Sequence, residues 1–267
     1  MTGAARIGAA RAFLFVPGDR GERFEKAFSA GADLAIIDLE DAVAADAKAG
    51  ARAAVAAWLN PSKPILVRIN AAGTVNFNED LALCAHPGVL GVVLPKADAN
   101  SARTAVDMGK PVLALIESAR GVADMATVAA TKGVVRMAMG AIDLAGDLGL
   151  GPENTLVNPL RLQMTLASRL AEIAPPVDGV TANFRDEARL TTDVTHARAL
   201  GFTGKLLIHP TQIAATLAGF SASAKDIEWA RRVVTADAAA AGRAVQLDGE
   251  MVDKPIVDRA RRILALV

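Results

Sequence analysis

Tyrosine is absent from this 267-residue chain, and aromatic residues of all kinds make up only 4% of it. Proteins that stack on nucleic-acid bases need such rings together with a basic surface. The charge is balanced instead: 29 Lys and Arg face 29 Asp and Glu, for a formal net charge of +0. Nucleic acid and anionic membrane are therefore poor partners. Cysteine is nearly missing. A single Cys84 excludes an intrachain disulfide and a multi-cysteine metal site, and it fits a reducing cytoplasm. No uninterrupted apolar run reaches the roughly 18 residues of a membrane span. The N-terminal MTGAARIGAARAF has arginines but no long apolar stretch before Arg11, unlike a signal peptide. Neither GxGxxG after the first strand nor GxxxxGK[ST] occurs, so an open nucleotide-binding sheet loses weight.

What the chain does have is apolar mass, 52% by residue, arranged as short runs alternating with longer helical patterns. The runs fall at residues 11–17, 34–40, 64–70, 91–96, 111–118, 134–143, 177–183 and 205–210. They are apolar on both faces, as parallel strands covered by helices are. About eight βα units in succession predict an α/β fold, a (β/α)₈ TIM barrel, over residues 1–221. Residues 222–267 read as a C-terminal helical extension with a turn at Asp248-Gly249 and a last amphipathic helix. That extension packs on its own barrel or on a neighbouring subunit. Cys84, in LALCA, reads as a small core residue.

In such a barrel the chemistry gathers at the C-terminal ends of the strands. In chain order that rim offers Asp19 and Arg20, Glu40 and Asp41, Arg68 and Asn70, Lys96, Glu117, Asp143, Asn183 and His209. Glu117 and Asp143 follow strands consecutive in the chain, which predicts neighbours in the sheet and two acids that repel, the more so when buried. Mg²⁺ resolves such a conflict, taking one or two carboxylates plus water and substrate oxygens. Two solvated or salt-bridged acids are the plainer alternative. Arg68, inside an apolar strand, suits bidentate recognition of a substrate carboxylate or an internal bridge to Glu40 or Asp41, and both at once are compatible. His209 reads as a hydrogen-bonded structural residue, with Thr211 capping the helix that follows. His86 and His196 have no companions. The glycines of GAIDLAGDLGLG (140–151) match no phosphate loop and read as a flexible loop covering the site.

These residues stand in pieces that resemble the citrate lyase β-subunit-like family of the HpcH/HpaI aldolase superfamily. The pieces are FVPGDRGERFEKA, IIDLEDAV, VRIN, LPKA, ALIESARG, GAIDLAGDLG, LLIHPTQI and EMVDKPIV, in the family's order and along nearly the whole chain. The resemblance implies a (β/α)₈ barrel that makes or breaks carbon–carbon bonds beside a CoA thioester. It implies Glu117 and Asp143 as Mg²⁺ ligands and Arg68 as the residue that binds the substrate's carboxylate or carbonyl oxygen. Glu40 and Asp41 would support the site through Arg68, Lys96 or metal-bound water. Phe15, Arg20 and Lys26 resemble the positions that hold CoA in malyl-CoA lyases. Asp253 resembles a C-terminal acid that arrives from an adjacent subunit, which implies a homotrimer or hexamer. One departure stands out: many members carry Glu-Asp where this chain has Ile142-Asp143.

The expectation is then a cytoplasmic, Mg²⁺-dependent lyase that cleaves a β-hydroxyacyl-CoA, citramalyl-CoA first and malyl-CoA or a citryl thioester next, to a keto acid and acetyl-CoA. A metal-dependent aldolase acting on free keto acids and a non-catalytic barrel subunit are the alternatives.

Overall fold

A computed structural model of the chain describes residues 1–151, 157–239 and 245–264. Eight parallel strands close into a barrel in sequence order. They are β1 (Ala12–Pro17), β2 (Leu34–Asp38), β3 (Ile65–Arg68), β4 (Val89–Leu94), β5 (Val112–Ile116), β6 (Val134–Met139), β7 (Val177–Asp178) and β8 (Gly204–Leu207). Closure pairs Phe13 with Leu34 on one side and with Leu206 on the other. Phe13, Leu34, Ile36, Leu66, Leu113, Leu115 and Leu206 fill the interior. The expected (β/α)₈ barrel is the fold.

Outside the strands run α2 (Phe24–Phe28), α3 (Lys48–Trp58), α4 (Phe77–Cys84), α5 (Ala99–Val106), α6 (Ala119–Ala130), α7 (Ala141–Asp147), α8 (Asn158–Leu170), α9 (Glu187–Ala199) and α10 (Ile213–Phe220). Cys84 ends α4 fully buried, and burial pushes its thiol up to about 12. It is a packing residue.

A helix not anticipated from the sequence, α1 (Gly3–Ala9), precedes the first strand. Ile7 and Ala10 join the barrel's core cluster. They are held by Arg136, whose Nη1 donates to the Ile7 and Ala10 carbonyls at 2.8 and 2.6 Å. Its Nε donates to Pro175 O at 2.6 Å and its Nη2 to Thr203 Oγ1 at 2.7 Å. Complete burial lowers this guanidinium to about 9. The N-terminal end of the barrel is thereby floored.

Two runs end well short of their apolar pattern. The sixth was expected to reach Asp143, but β6 stops at Met139. Residues 140–151 are not a flexible cover: they form α7, closed by a Schellman turn in which Leu150 N donates to Ala145 O at 2.8 Å and Gly149 N to Gly146 O at 3.1 Å. Gly149 takes φ +66, so this glycine terminates a helix rather than loosening a loop. The seventh run stops at Asp178 because the next carbonyl is diverted to a side chain: Lys205 Nζ donates to Gly179 O at 2.6 Å. Asn183 therefore lies beyond the strand, accepting from Arg185 N at 3.2 Å.

The chain divides into two compact units, Met1–Leu217 and Ala218–Val267. In the second, α11 (Ala224–Ala239) and α12 (Lys254–Leu264) flank an antiparallel hairpin of β9 (Val245–Leu247) and β10 (Glu250–Val252). The turn at Asp248-Gly249 has φ of 53 and 86, the left-handed pair a tight hairpin turn requires. Ala230, Val233, Val252, Val257 and Ala260 form this unit's buried cluster. Among the described residues no helix is long and apolar enough to cross a membrane.

Candidate active site

Strand parity builds the site. Side chains two apart along a strand share a face. Leu34 and Ile36 point into the barrel, and the next position of that parity is Asp38. Leu66 points inward, and the next is Arg68. Leu113 and Leu115 point inward, and the next is Glu117. The top layer of the core is thus polar where the layers below are leucine and isoleucine. A cavity of about 410 Å³ opens on it, walled by Phe15, Asp38, Asp41, Arg68, Glu117 and Asp143 among others.

Arg68 is the hub of this layer. Its Nε and Nη2 donate to the two oxygens of Asp38 at 2.7 and 2.6 Å, the paired geometry that guanidinium and carboxylate favour. Its Nη1 lies 3.3 Å from Glu40 Oε2 and 3.9 Å from Asp41 Oδ2, and its Cζ stands 4.7 Å above the Phe15 ring. Burial works against the charge, but the bond to Asp38 and the charges of Asp38 and Glu40 outweigh it, so the guanidinium is held more firmly protonated than usual. Asp38 is itself fixed by Glu40 N at 2.8 Å and Ala42 N at 3.2 Å. Glu40 is raised above the ordinary carboxylate range by burial, against the pull of Arg68 and Lys96. Its Oε1 accepts from Lys96 Nζ at 2.7 Å, whereas its buried Oε2 has an ion-pair neighbour but no hydrogen bond.

Glu117 is 3% exposed, and its Oε1 accepts from the backbone N of Lys96 at 2.8 Å. Lys96 takes φ +46, a left-handed conformation that costs a residue with a Cβ about 1–2 kcal/mol. That strain aims its N–H at the carboxylate. Across from it Gly140 leaves room: a Cβ there would come within 2.4 Å of Glu117 Oε2. Burial first, then the charge of Glu40, lift the Glu117 carboxyl to about 7. Asp143, exposed in the first turn of α7 on the same cavity, adds to that rise. Among the described residues neither Glu117 nor Asp143 has a lysine or arginine within ion-pairing distance. Two neighbouring acids without a cation, one of them buried, suit a hard divalent ion that keeps water and substrate oxygens as its remaining ligands.

The sequence profile of the HpcH/HpaI aldolase/citrate lyase family matches residues 11–210. The chain belongs to this family. A citrate lyase subunit beta-like protein of Mycobacterium tuberculosis is 37% identical over 262 residues, covering 94% of this chain and 93% of that one. A (3S)-malyl-CoA thioesterase of Cereibacter sphaeroides is 34% identical over 271 residues, covering 96% and 93%. Among solved structures, the protein CitE from M. tuberculosis in complex with magnesium, acetoacetate and coenzyme A superposes with a TM-score of 0.85 at 35% identity, covering 97% of this chain and 98% of that one.

In this family member the expected site residues do not all converge. Phe15, Asp41, Arg68, Glu117 and Asp143 share the cavity wall. Glu40 lies behind it, touching Arg68 and Lys96. Arg20 and Lys26 are exposed, on and after the turn that follows β1, and neither lines the cavity. Asp253 belongs to the second unit, exposed just ahead of α12, with Oδ1 accepting from Ile256 N at 3.4 Å. Asp143 is on a helix rather than at a strand end. His209 is structural, as expected, but it rather than Thr211 is the cap: its Nδ1 accepts from Thr211 N at 3.2 Å, and its ring stacks on Phe184 at 4.3 Å. His86 Nδ1 accepts from Gly88 N at 3.0 Å, and His196 Nε2 pairs with Asn158 Oδ1 at 2.9 Å. Asp38 is the residue missed from sequence. Its parity with Leu34 and Ile36 was the available signal.

Proposed function

We propose that the protein is a Mg²⁺-dependent carbon–carbon lyase that cleaves a β-hydroxyacyl-CoA thioester to a keto acid and acetyl-CoA, with citramalyl-CoA the favoured substrate. The observation that carries this reading is the buried acid Glu117, which has no lysine or arginine within ion-pairing distance among the described residues and shares one cavity wall with Asp143 and Arg68. Glu117 and Asp143 would hold the ion. When bound, Mg²⁺ supplies Lewis acidity and a template for the substrate's carboxylate and hydroxyl oxygens. The remaining tasks belong to the chain. The guanidinium of Arg68, aimed by Asp38, binds the carboxylate. Asp41, on the cavity wall, takes the hydroxyl proton directly or through water. The carbon–carbon bond then breaks, its electron pair leaving on the thioester fragment as an enolate. A proton delivered to that carbon completes acetyl-CoA, and Asp253 of a neighbouring copy in a homotrimer or hexamer is the donor. Phe15, Arg20 and Lys26 hold the CoA portion.

A screen of hydroxyacyl-CoA thioesters, with Mg²⁺ and with excess EDTA, tests this reading. The expected result is keto acid plus acetyl-CoA, formed only with metal. Activity that persists in EDTA would count against it. Release of free CoA and a hydroxy acid would favour a second reading, thioester hydrolysis, which the malyl-CoA thioesterase relative supports. In the same assay Asp253→Ala should lower kcat by about 10²-fold, as loss of a general acid does, and leave the Mg²⁺ half-saturation point unmoved. An unchanged kcat removes Asp253 from the reaction.

A further inference from the structure

Asp147 is badly placed by local rules. It is the last residue of α7, where the helix dipole disfavours a negative charge. It also follows Asp143 by four residues, an i,i+4 pair of like charges that destabilises a helix further. Something outside α7 must offset this. Its Oδ2 accepts from Ala119 N at 2.6 Å. Ala119 is the first residue of α6, where Ser118 Oγ already accepts from Gly121 N at 3.1 Å. Asp147 thus takes an N–H that the N-cap leaves free. The other end of α7 is tied to the same short segment: Gly140 N donates to Ile116 O at 3.1 Å, and Gly140 packs on Glu117. Both ends of the helix that bears Asp143 are therefore fastened to residues 116–119, with Glu117 between the two fastenings.

We propose that Asp147 is a positioning residue: by capping α6 it holds α7 so that Asp143 and Glu117 stay spaced for one divalent ion. The proposal rests on the reading of those two acids as metal ligands. Asp147 and Ala119 are both exposed, so losing their bond should weaken one helix end and leave the barrel core intact. Its effect falls on metal affinity.

The test is Mn²⁺ binding to the metal-free full chain, followed by electron paramagnetic resonance as unbound Mn²⁺ is depleted. Asp147→Ala should bind Mn²⁺ about fivefold or more weakly, in the range of lost caps and lost ligand-supporting contacts. Asp147→Asn, which keeps an acceptor oxygen, should recover most of that loss. Ala119→Pro deletes the donor at the helix position where proline fits best, and Ser118 before it is already extended (φ −142, ψ 158), as a residue preceding proline must be. It should reproduce the Asp147→Ala loss, and the double variant should be no worse than either single one. Wild-type affinity in Asp147→Ala and Ala119→Pro, or losses that add in the double variant, overturns the proposal while the metal reading stands. A wild type that binds no Mn²⁺ overturns the metal reading and this one with it. If Asp147→Ala fails to fold, Asp147→Asn and Ala119→Pro decide alone.

Discussion

Glu117→Gln should give a folded protein whose turnover of the thioester falls by at least about 10³-fold and no longer responds to Mg²⁺. Its stability should move the other way, and pH reveals it. The carboxyl of Glu117 rises from 4.5 to about 7 on folding without metal, burial being the first cause. Between those two values the folded chain holds a proton that the unfolded chain has lost. Stability from this group is therefore intact below 4.5 and declines as pH climbs to about 7, a difference worth about 3 kcal/mol. Glutamine carries no such dependence. Metal-free Glu117→Gln should melt above metal-free wild type at pH 8, with the gap closing near pH 4.5. Mg²⁺ should raise the melting temperature of wild type at pH 8, far less at pH 5.5, and not at all in the variant. Calorimetric scans at both pH values check this. A variant that still gains stability from Mg²⁺ would remove Glu117 from the metal site.

The second large effect is expected at Arg68. Its guanidinium spans both oxygens of Asp38 and reaches toward Glu40 with its third nitrogen. Lysine has one nitrogen and cannot occupy both places. Arg68→Lys should lower kcat/KM by about 10³-fold, since a buried charge loses its partners and the substrate carboxylate loses its fork. Steady-state kinetics with the thioester, alongside urea unfolding, separates a lost site from a lost fold. Kinetic constants within a factor of about three of wild type would exclude Arg68 from binding.

The barrel was legible because parallel strands buried on both faces must read as apolar runs, and six of the eight runs hold their length to within a few residues. The exceptions have physical causes that lie outside the runs. β7 is cut short by a lysine two strand-residues into its neighbour β8, Lys205, whose bond to Gly179 O has no local signature. Residues 140–147 looked like strand end and loop because they are glycine-rich, yet Ala141, Leu144, Ala145 and Leu148 follow the helical period. The site was legible where a polar residue ended a run, as at Arg68 and Glu117. Asp38 is hidden inside an otherwise apolar run, and only strand parity with Leu34 and Ile36 turns it toward the site. The left-handed Lys96 could not be foreseen, since nothing in LPKA calls for glycine-like backbone. The hairpin in the second unit was half visible through Asp248-Gly249, its strands too short to show alternation.

Arg136 and α1 have a last consequence. With Ile7 and Phe13 fully enclosed beneath the polar layer, the described residues close the barrel at its N-terminal end. Under the proposed cleavage, both fragments would have to leave by the C-terminal face.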